Sequence, residues 1–318
     1  MRLLVTGGAG FIGSNFVRRQ LAGQSILEVD SMIVIDALTY AGNILNLEEW
    51  ISDERLQFVH KDINDRINID RYFQNIDVVV HFAAESHVDK SIDSPAQFLV
   101  TNILGTDSIL QCSLKNNVKT VILVSTDEIY GSIERGSWLE SEPHAPNSPY
   151  AASKASAELL GRAYSRTFGM DIRITRCGNN YGPYQFIEKL LPLAITNLIA
   201  GKKIPIYGDG SNKREWIHVD DHCEGIECVI KDGRPNGIYN IGPGQELSNL
   251  EIVTQILKEF NVGIEQIEYI KDRKGHDYRY SMDSNKVVSE CGFIAKRSLT
   301  EGIPELVNWY QSNQYWWA

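Results

Sequence analysis

Arg2-Leu3-Leu4-Val5-Thr6-Gly7-Gly8-Ala9-Gly10-Phe11-Ile12-Gly13 runs a short apolar strand into a glycine-rich turn, and a helical pattern follows through Phe16, Val17 and Leu21. Glycines at 7, 10 and 13 permit a tight turn, close backbone approach to a pyrophosphate and close helix–strand packing. The start of the helix then offers unpaired N–H groups to the phosphates. A glycine-rich turn alone is a weak sign. Between a strand and a helix it is a strong one, and it predicts a dinucleotide-binding α/β sheet.

Working outward, Met32-Ile33-Val34-Ile35 is a second strand ending in Asp36, 23 residues past Gly13. An acid there accepts hydrogen bonds from a ribose 2′-hydroxyl and repels a 2′-phosphate, which favours NAD over NADP. A helix or turn cap is the competing reading of Asp36. Leu56-Gln57-Phe58-Val59 leads to Asp62-Ile63, placed to meet the adenine. Val78-Val79-Val80-His81-Phe82 ends in Ala83-Ala84, where small residues let the backbone pass close beneath the cofactor. A helix from about 95 to 114 precedes the apolar run Thr120-Val121-Ile122-Leu123-Val124, and Ile172-Arg173-Ile174-Thr175-Arg176 is a sixth strand. This repeated β-α order predicts a Rossmann-type doubly wound parallel sheet over residues 1–176. Residues 177–318 form a smaller α/β substrate domain, some of whose segments return to the first sheet.

The 318 residues carry a formal net charge of −10, which argues against general nucleic-acid binding because phosphate contacts need a basic surface. No apolar run approaches the roughly 20 residues of a membrane-spanning helix. The chain begins directly in a strand with no basic and apolar leader, so a cytoplasmic protein is expected. The five cysteines (Cys112, Cys177, Cys223, Cys228 and Cys291) show no Cys-x-x-Cys spacing and read as small buried thiols. His218 and His222 would suit a metal only on one helix face, but Trp216-Ile217-His218-Val219 reads as a strand, so no metal is expected.

At the end of the fifth strand stands Ser125-Thr126-Asp127-Glu128-Ile129-Tyr130-Gly131. Carboxyl ends of strands are where open α/β sheets bind ligands, so a hydroxyl and two acids in succession would flank a substrate. Adjacent acids are also common as solvated loop residues. A Pro-rich loop then leads into Tyr150-Ala151-Ala152-Ser153-Lys154, whose Tyr and Lys, four apart, share a helical face. A cation there, with the nicotinamide's positive charge, favours phenolate and moves the Tyr150 pKa towards neutrality. Such pairs also occur as plain surface pairs. Farther on, Asn179-Asn180-Tyr181-Gly182-Pro183 reads as a turn, residues 187–200 as a helix and Ile204-Pro205-Ile206-Tyr207 as a strand. Ser248-x-x-Glu251 and Ser298-x-x-Glu301 are helix-opening capping boxes.

Taken together, these motifs resemble the extended short-chain dehydrogenase/reductase family and, within it, the dTDP-glucose 4,6-dehydratases. The resemblance covers nearly the whole chain. It includes the glycine turn, Asp36-Ala37-Leu38-Thr39-Tyr40-Ala41-Gly42-Asn43, Ala83-Ala84-Glu85-Ser86-His87-Val88-Asp89, Ser125 to Gly131, Tyr150 to Lys154, Asn179 to Gln185 and Arg214-Glu215-Trp216. Thr-Asp-Glu is the narrow motif: related epimerases generally lack both acids, and decarboxylases typically keep the Glu without the Asp.

The resemblance implies that Tyr150, as phenolate, takes the proton of a hexose C4 hydroxyl while hydride passes from C4 to NAD⁺. Lys154 holds the cofactor ribose and Thr126 the same sugar oxygen. The ketone acidifies the C5 hydrogen, Glu128 removes it, and protonated Asp127 lets the C6 hydroxyl leave as water. Hydride then returns to C6, giving a 4-keto-6-deoxy sugar.

By resemblance the cofactor also meets Gly7, Gly10, Phe11, Ile12, Gly13, Asp36, Ala37, Leu38, Thr39, Asp62, Ile63, Phe82, Ala83, Ala84, Ser86, Thr101, Tyr150, Lys154 and Asn180. The nucleotide-diphosphate hexose meets Ser86, Thr126, Asn179, Glu188, Lys189, Leu190, Pro205, Ile206, Tyr207, Arg214, Asn249, His276 and Arg279. A homodimer through the helices at 95–114 and 150–168 is implied as well. Three positions depart from the pattern: Gly178 in place of Ser, Ile187 in place of Pro, and Tyr278 in place of Arg. A retaining UDP-N-acetylglucosamine 4,6-dehydratase is an alternative, with Gly178 leaving room for an acetamido group; a UDP-sugar 4-epimerase is another.

Overall fold

The computed structural model describes residues Met1–Ala318. Its strands are β1 (Arg2–Thr6), β2 (Ser31–Asp36), β3 (Leu56–His60), β4 (Val78–His81), β5 (Thr120–Thr126) and β6 (Asp171–Cys177) in the first half. The second half holds β7 (Asn179–Tyr181), β8 (Ile204–Tyr207), β9 (Lys213–His218), β10 (Ile238–Ile241), β11 (Glu246–Ser248) and β12 (Ile267–Ile270). Seven of these form one sheet in the order β10-β6-β5-β4-β1-β2-β3, every pair parallel. Both faces are covered by helices, which is why β1, β4 and β5 are nearly continuous apolar runs rather than alternating ones.

One face packs Phe16, Val17, Cys223, Ile226 and Val229 from the helices Phe11–Leu21 and Val219–Asp232. The other packs Ile69, Phe73, Ile109 and Leu110. The strand order reverses between β1 and β4, so their carboxyl ends open a crevice at the switch point where such sheets bind ligands.

A separate core holds the second region together: Leu191 and Ile195 from the helix Leu190–Ile199, Ile204 and Ile206 from β8, Ile252 and Ile256 from the helix Asn249–Glu259, and Ile303 and Leu306 from the helix Leu299–Ser312. Two small sheets, β11-β9-β7 and β12-β8, frame it. The capping box of Ser248 and Glu251 is formed in full. No helix is long and apolar enough to cross a membrane.

Two local expectations change. Asn179–Tyr181 is a strand, not a turn: Tyr181 is buried in the second core and its hydroxyl donates to the Ser298 carbonyl at 3.0 Å, so packing overrides the turn-like Asn-Asn-Tyr-Gly-Pro composition. The helix expected from 187 starts at Leu190. His218 caps the helix that follows it, and His222 lies buried with Nδ1 2.9 Å from Asn180 Oδ1.

Candidate active site

The crevice is a cavity of about 720 Å³ that reaches from the glycine turn to the second region. Its cofactor end is shaped by backbone proximity. Gly7 has φ +70°, and a Cβ there would fall 2.6 Å from the Ala83 nitrogen; a Cβ at Gly13 would fall 2.2 Å from the Gly7 carbonyl. Only glycine fits either place. Asp36 is buried at the end of β2, accepting from Ala9 N and Leu38 N at 2.8 Å each. Burial raises its pKa, and those backbone donors pull it back. Each carboxyl oxygen keeps a lone pair for a hydroxyl donor.

Gly7, Gly10, Phe11, Ile12, Gly13, Asp36, Ala37, Thr39, Asp62, Ile63, Phe82, Ala83, Ala84, Ser86, Thr101 and Asn180 all line the cavity. Leu38 does not. It sits at φ +50° and contributes its N–H to Asp36 instead.

The reactive groups converge at the end of β5. Thr126 caps the turn that follows, accepting from Glu128 N at 3.2 Å and donating to Asp127 Oδ1 at 3.1 Å. Asp127 is only 2% exposed, and its Oδ2 has no partner. Burial, reinforced by the charges of Glu128 and Glu215, lifts its pKa well above the usual carboxylate value and so favours the protonated form. Glu128 is raised too, chiefly by burial, but Arg214, Lys189 and Arg273 pull it back towards the ionised form. Adjacent acids thus acquire unlike environments, the condition for one to donate and the other to accept a proton.

Tyr150 and Lys154 both line the same cavity, on the helix Pro149–Phe168 capped by Ser148. The expected downward shift of Tyr150 is not produced by the chain's own groups. Burial raises the phenol well above its ordinary value, and Glu128, Cys177 and Asp127 add to this, while the Thr126 hydrogen bond opposes it. Lys154 donates to the Val124 carbonyl at 2.8 Å, and burial lowers its own pKa to about 8.

On the far side, Asn179, Glu188, Lys189, Leu190, Pro205, Ile206, Tyr207, Arg214, Asn249 and His276 line the cavity. Lys189 donates to the Ser86 carbonyl at 2.9 Å, tying the second region to the loop after β4. Arg214 donates to the Asp277 carbonyl at 2.8 Å and stacks over the Tyr280 ring at 4.3 Å. His276 Nδ1 lies 2.6 Å from Asp272 Oδ1.

Arg279 is not in the cavity. It donates to Glu246 Oε2 at 2.6 Å and to the Gly136 carbonyl at 3.0 Å. Arg273, from the same stretch, does line the cavity: it stacks over Tyr207 at 4.7 Å, and its Nε lies 3.5 Å from Asp89 Oδ1. Nothing in the spacing of Arg273 and Arg279 told them apart. Nor does Gly178 leave free room: a Cβ there would fall 2.9 Å from the Glu215 carbonyl, so β9 already fills that space. The Tyr278 side chain is exposed, away from the cavity.

A family model described as GDP-mannose 4,6 dehydratase matches residues 4–306. A dTDP-glucose 4,6-dehydratase of Streptomyces niveus is 48% identical over 318 residues, covering 100% of this chain and 95% of that one. A second, from Streptomyces antibioticus, is 50% identical and covers 100% and 94%. The crystal structure of DesIV, a dTDP-glucose 4,6-dehydratase from Streptomyces venezuelae with NAD and TYD bound, superposes with a TM-score of 0.98 at 53% identity, over 100% of this chain and 99% of that one.

Proposed function

The chain belongs to the GDP-mannose 4,6-dehydratase family, and from that premise we propose that it is an NAD-dependent lyase converting dTDP-glucose to dTDP-4-keto-6-deoxyglucose. The observation that carries the reading is the pair Asp127 and Glu128, set in unlike environments within one cavity that also holds Tyr150 and Lys154. The glycine contacts and the twice-bonded Asp36 fit a dinucleotide with a free ribose 2′-hydroxyl. Bound NAD supplies a hydride acceptor at C4, a donor at C6, and the positive charge that would bring the Tyr150 phenol down.

Tyr150 takes the C4 hydroxyl proton, with Lys154 behind it. Glu128, steadied as carboxylate by Arg214, Lys189 and Arg273, removes the hydrogen at C5 once the C4 ketone has acidified it. Asp127, neutral and buried, gives its proton to the departing C6 hydroxyl. Lys189, Arg214 and Arg273, which line the cavity, are the cations available to the diphosphate.

Incubation with dTDP-glucose and, separately, UDP-N-acetylglucosamine, read by mass spectrometry for loss of water, tests the substrate. Dehydration of the first is expected, and dehydration of the second alone contradicts the reading. The acetamido alternative loses its support because Gly178 opens no space, and an epimerase has no use for the protonated Asp127.

Exposed Leu99, Val100 and Leu104 stand beside the helix Pro149–Phe168, which itself exposes Leu159, and this apolar face supports a homodimer. Sedimentation of the wild type and of a Leu104→Glu variant tests it. Five free buried thiols fit a reducing compartment such as the cytoplasm.

A further inference from the structure

We propose that Trp316 is a positioning residue for the cofactor turn, acting through Asn46. The inference rests on the NAD reading above. Trp316, in the short helix Gln314–Trp317, donates its indole N–H to Asn46 Oδ1 at 2.8 Å across 270 residues of sequence. Asn46 in turn donates from Nδ2 to the Ala9 carbonyl at 2.8 Å, inside the glycine turn. An indole N–H can only donate and a backbone carbonyl can only accept, so these two anchors admit a single orientation of the Asn46 amide.

Asn46 is 2% exposed and Trp316 9%, so water has little access to substitute for either. Ala9 is held at its other end as well, its N–H donating to Asp36 Oδ2 at 2.8 Å. Ala9 is thereby fixed on both sides: its N–H by the ribose-reading acid, and its carbonyl by the Trp316–Asn46 relay together with the Asn43 N–H at 3.0 Å. Fixing it sets the direction of the helix N–H groups that follow, which is where a pyrophosphate binds.

The indole ring packs independently against Trp309 and Tyr184, with centroids 5.3 and 5.8 Å away. Trp316→Phe therefore keeps an aromatic ring in that cluster while deleting the donor along with the smaller ring of the indole.

The test uses the full chain as wild type, Trp316→Phe, Asn46→Ala and the double variant, each stripped of nucleotide and checked for folding by circular dichroism. Calorimetry then gives Kd for NAD and, separately, for dTDP. Trp316→Phe is expected to weaken NAD about three- to tenfold, the worth of one hydrogen bond, and to leave dTDP unchanged. Asn46→Ala should weaken NAD at least as much, and adding Trp316→Phe to it should change nothing more. Unchanged NAD affinity in Trp316→Phe, equal weakening of both ligands, or additive effects in the double variant overturns the relay while leaving the functional reading intact. A wild-type chain that binds no NAD overturns that reading and the relay together.

Discussion

Thr126 Oγ1 donates to Asp127 Oδ1 at 3.1 Å, while the other oxygen of Asp127 is buried without a partner. The hydroxyl thus occupies the oxygen that must accept, and the carboxyl proton belongs on the one left free. That arrangement suits the proposed role of Asp127 as proton donor to the leaving group, with ionisation opposed by burial and by Glu128. Asn at this position keeps the size but holds no transferable acid proton. In Asp127→Asn, water loss should slow by about 10²–10³-fold while C4 oxidation persists, so reduced cofactor accumulates on the enzyme during single turnover. Product formation at the wild-type rate would contradict the role.

Glu215 makes a pH prediction. It is 1% exposed, with one oxygen unpartnered, and burial raises its pKa from 4.5 to about 7. Above the unfolded value the unfolded chain gives up this proton while the folded chain keeps it. Its contribution to stability therefore falls as pH rises through that window, by at most about 1.4 kcal/mol per pH unit. Glu215→Gln is neutral throughout. Relative to wild type it should gain roughly 2–3 kcal/mol between about pH 4.5 and about pH 7, measured by urea unfolding. A parallel pH dependence of the two proteins counts against it.

The Arg176–Glu158 pair is 2.7 Å long, with both side chains 1% exposed. Arg176 donates further to Tyr130 and to the Glu140 carbonyl, which anchors the turn after β5 to β6. Glu158→Ala leaves a buried guanidinium without its counterion and should cost about 3–5 kcal/mol in urea unfolding. A loss below about 1 kcal/mol would mean that water reaches the pair.

Much of this was legible from residue order alone. The six apolar strands and the glycine turn stand out because a sheet buried on both faces needs continuous apolar runs, and a pyrophosphate turn needs its glycines. Thr126, Asp127, Glu128, Tyr150 and Lys154 were found at strand and helix ends and do share one cavity. What was missed depends on contacts distant in sequence. Arg273 and Arg279 belong to one irregular stretch, yet Arg273 lines the cavity while Arg279 turns away to Glu246. The upward shift of Tyr150 follows from burial, which no spacing reveals. Likewise β7 is a strand because of what Tyr181 packs against, and Trp316 meets Asn46 from the opposite end of the chain.

Gly178 separates packing from specificity. Since a Cβ there meets the Glu215 carbonyl at 2.9 Å, Gly178→Ser forces β9 to shift. The variant should be destabilised by about 1–3 kcal/mol, the range for overpacking, with an unchanged preference for dTDP-glucose over UDP-N-acetylglucosamine in competition assays. A preference that moves towards the glucose substrate would show that the position faces the sugar after all.

The central claim is that one hydrogen leaves C4 and comes back at C6 within a single active site. dTDP-glucose carrying deuterium at C4, turned over by the wild-type chain and read by NMR of the product, should show that deuterium on the C6 methyl group. Deuterium missing from C6, with free reduced cofactor accumulating in proportion to sugar consumed, would contradict the account.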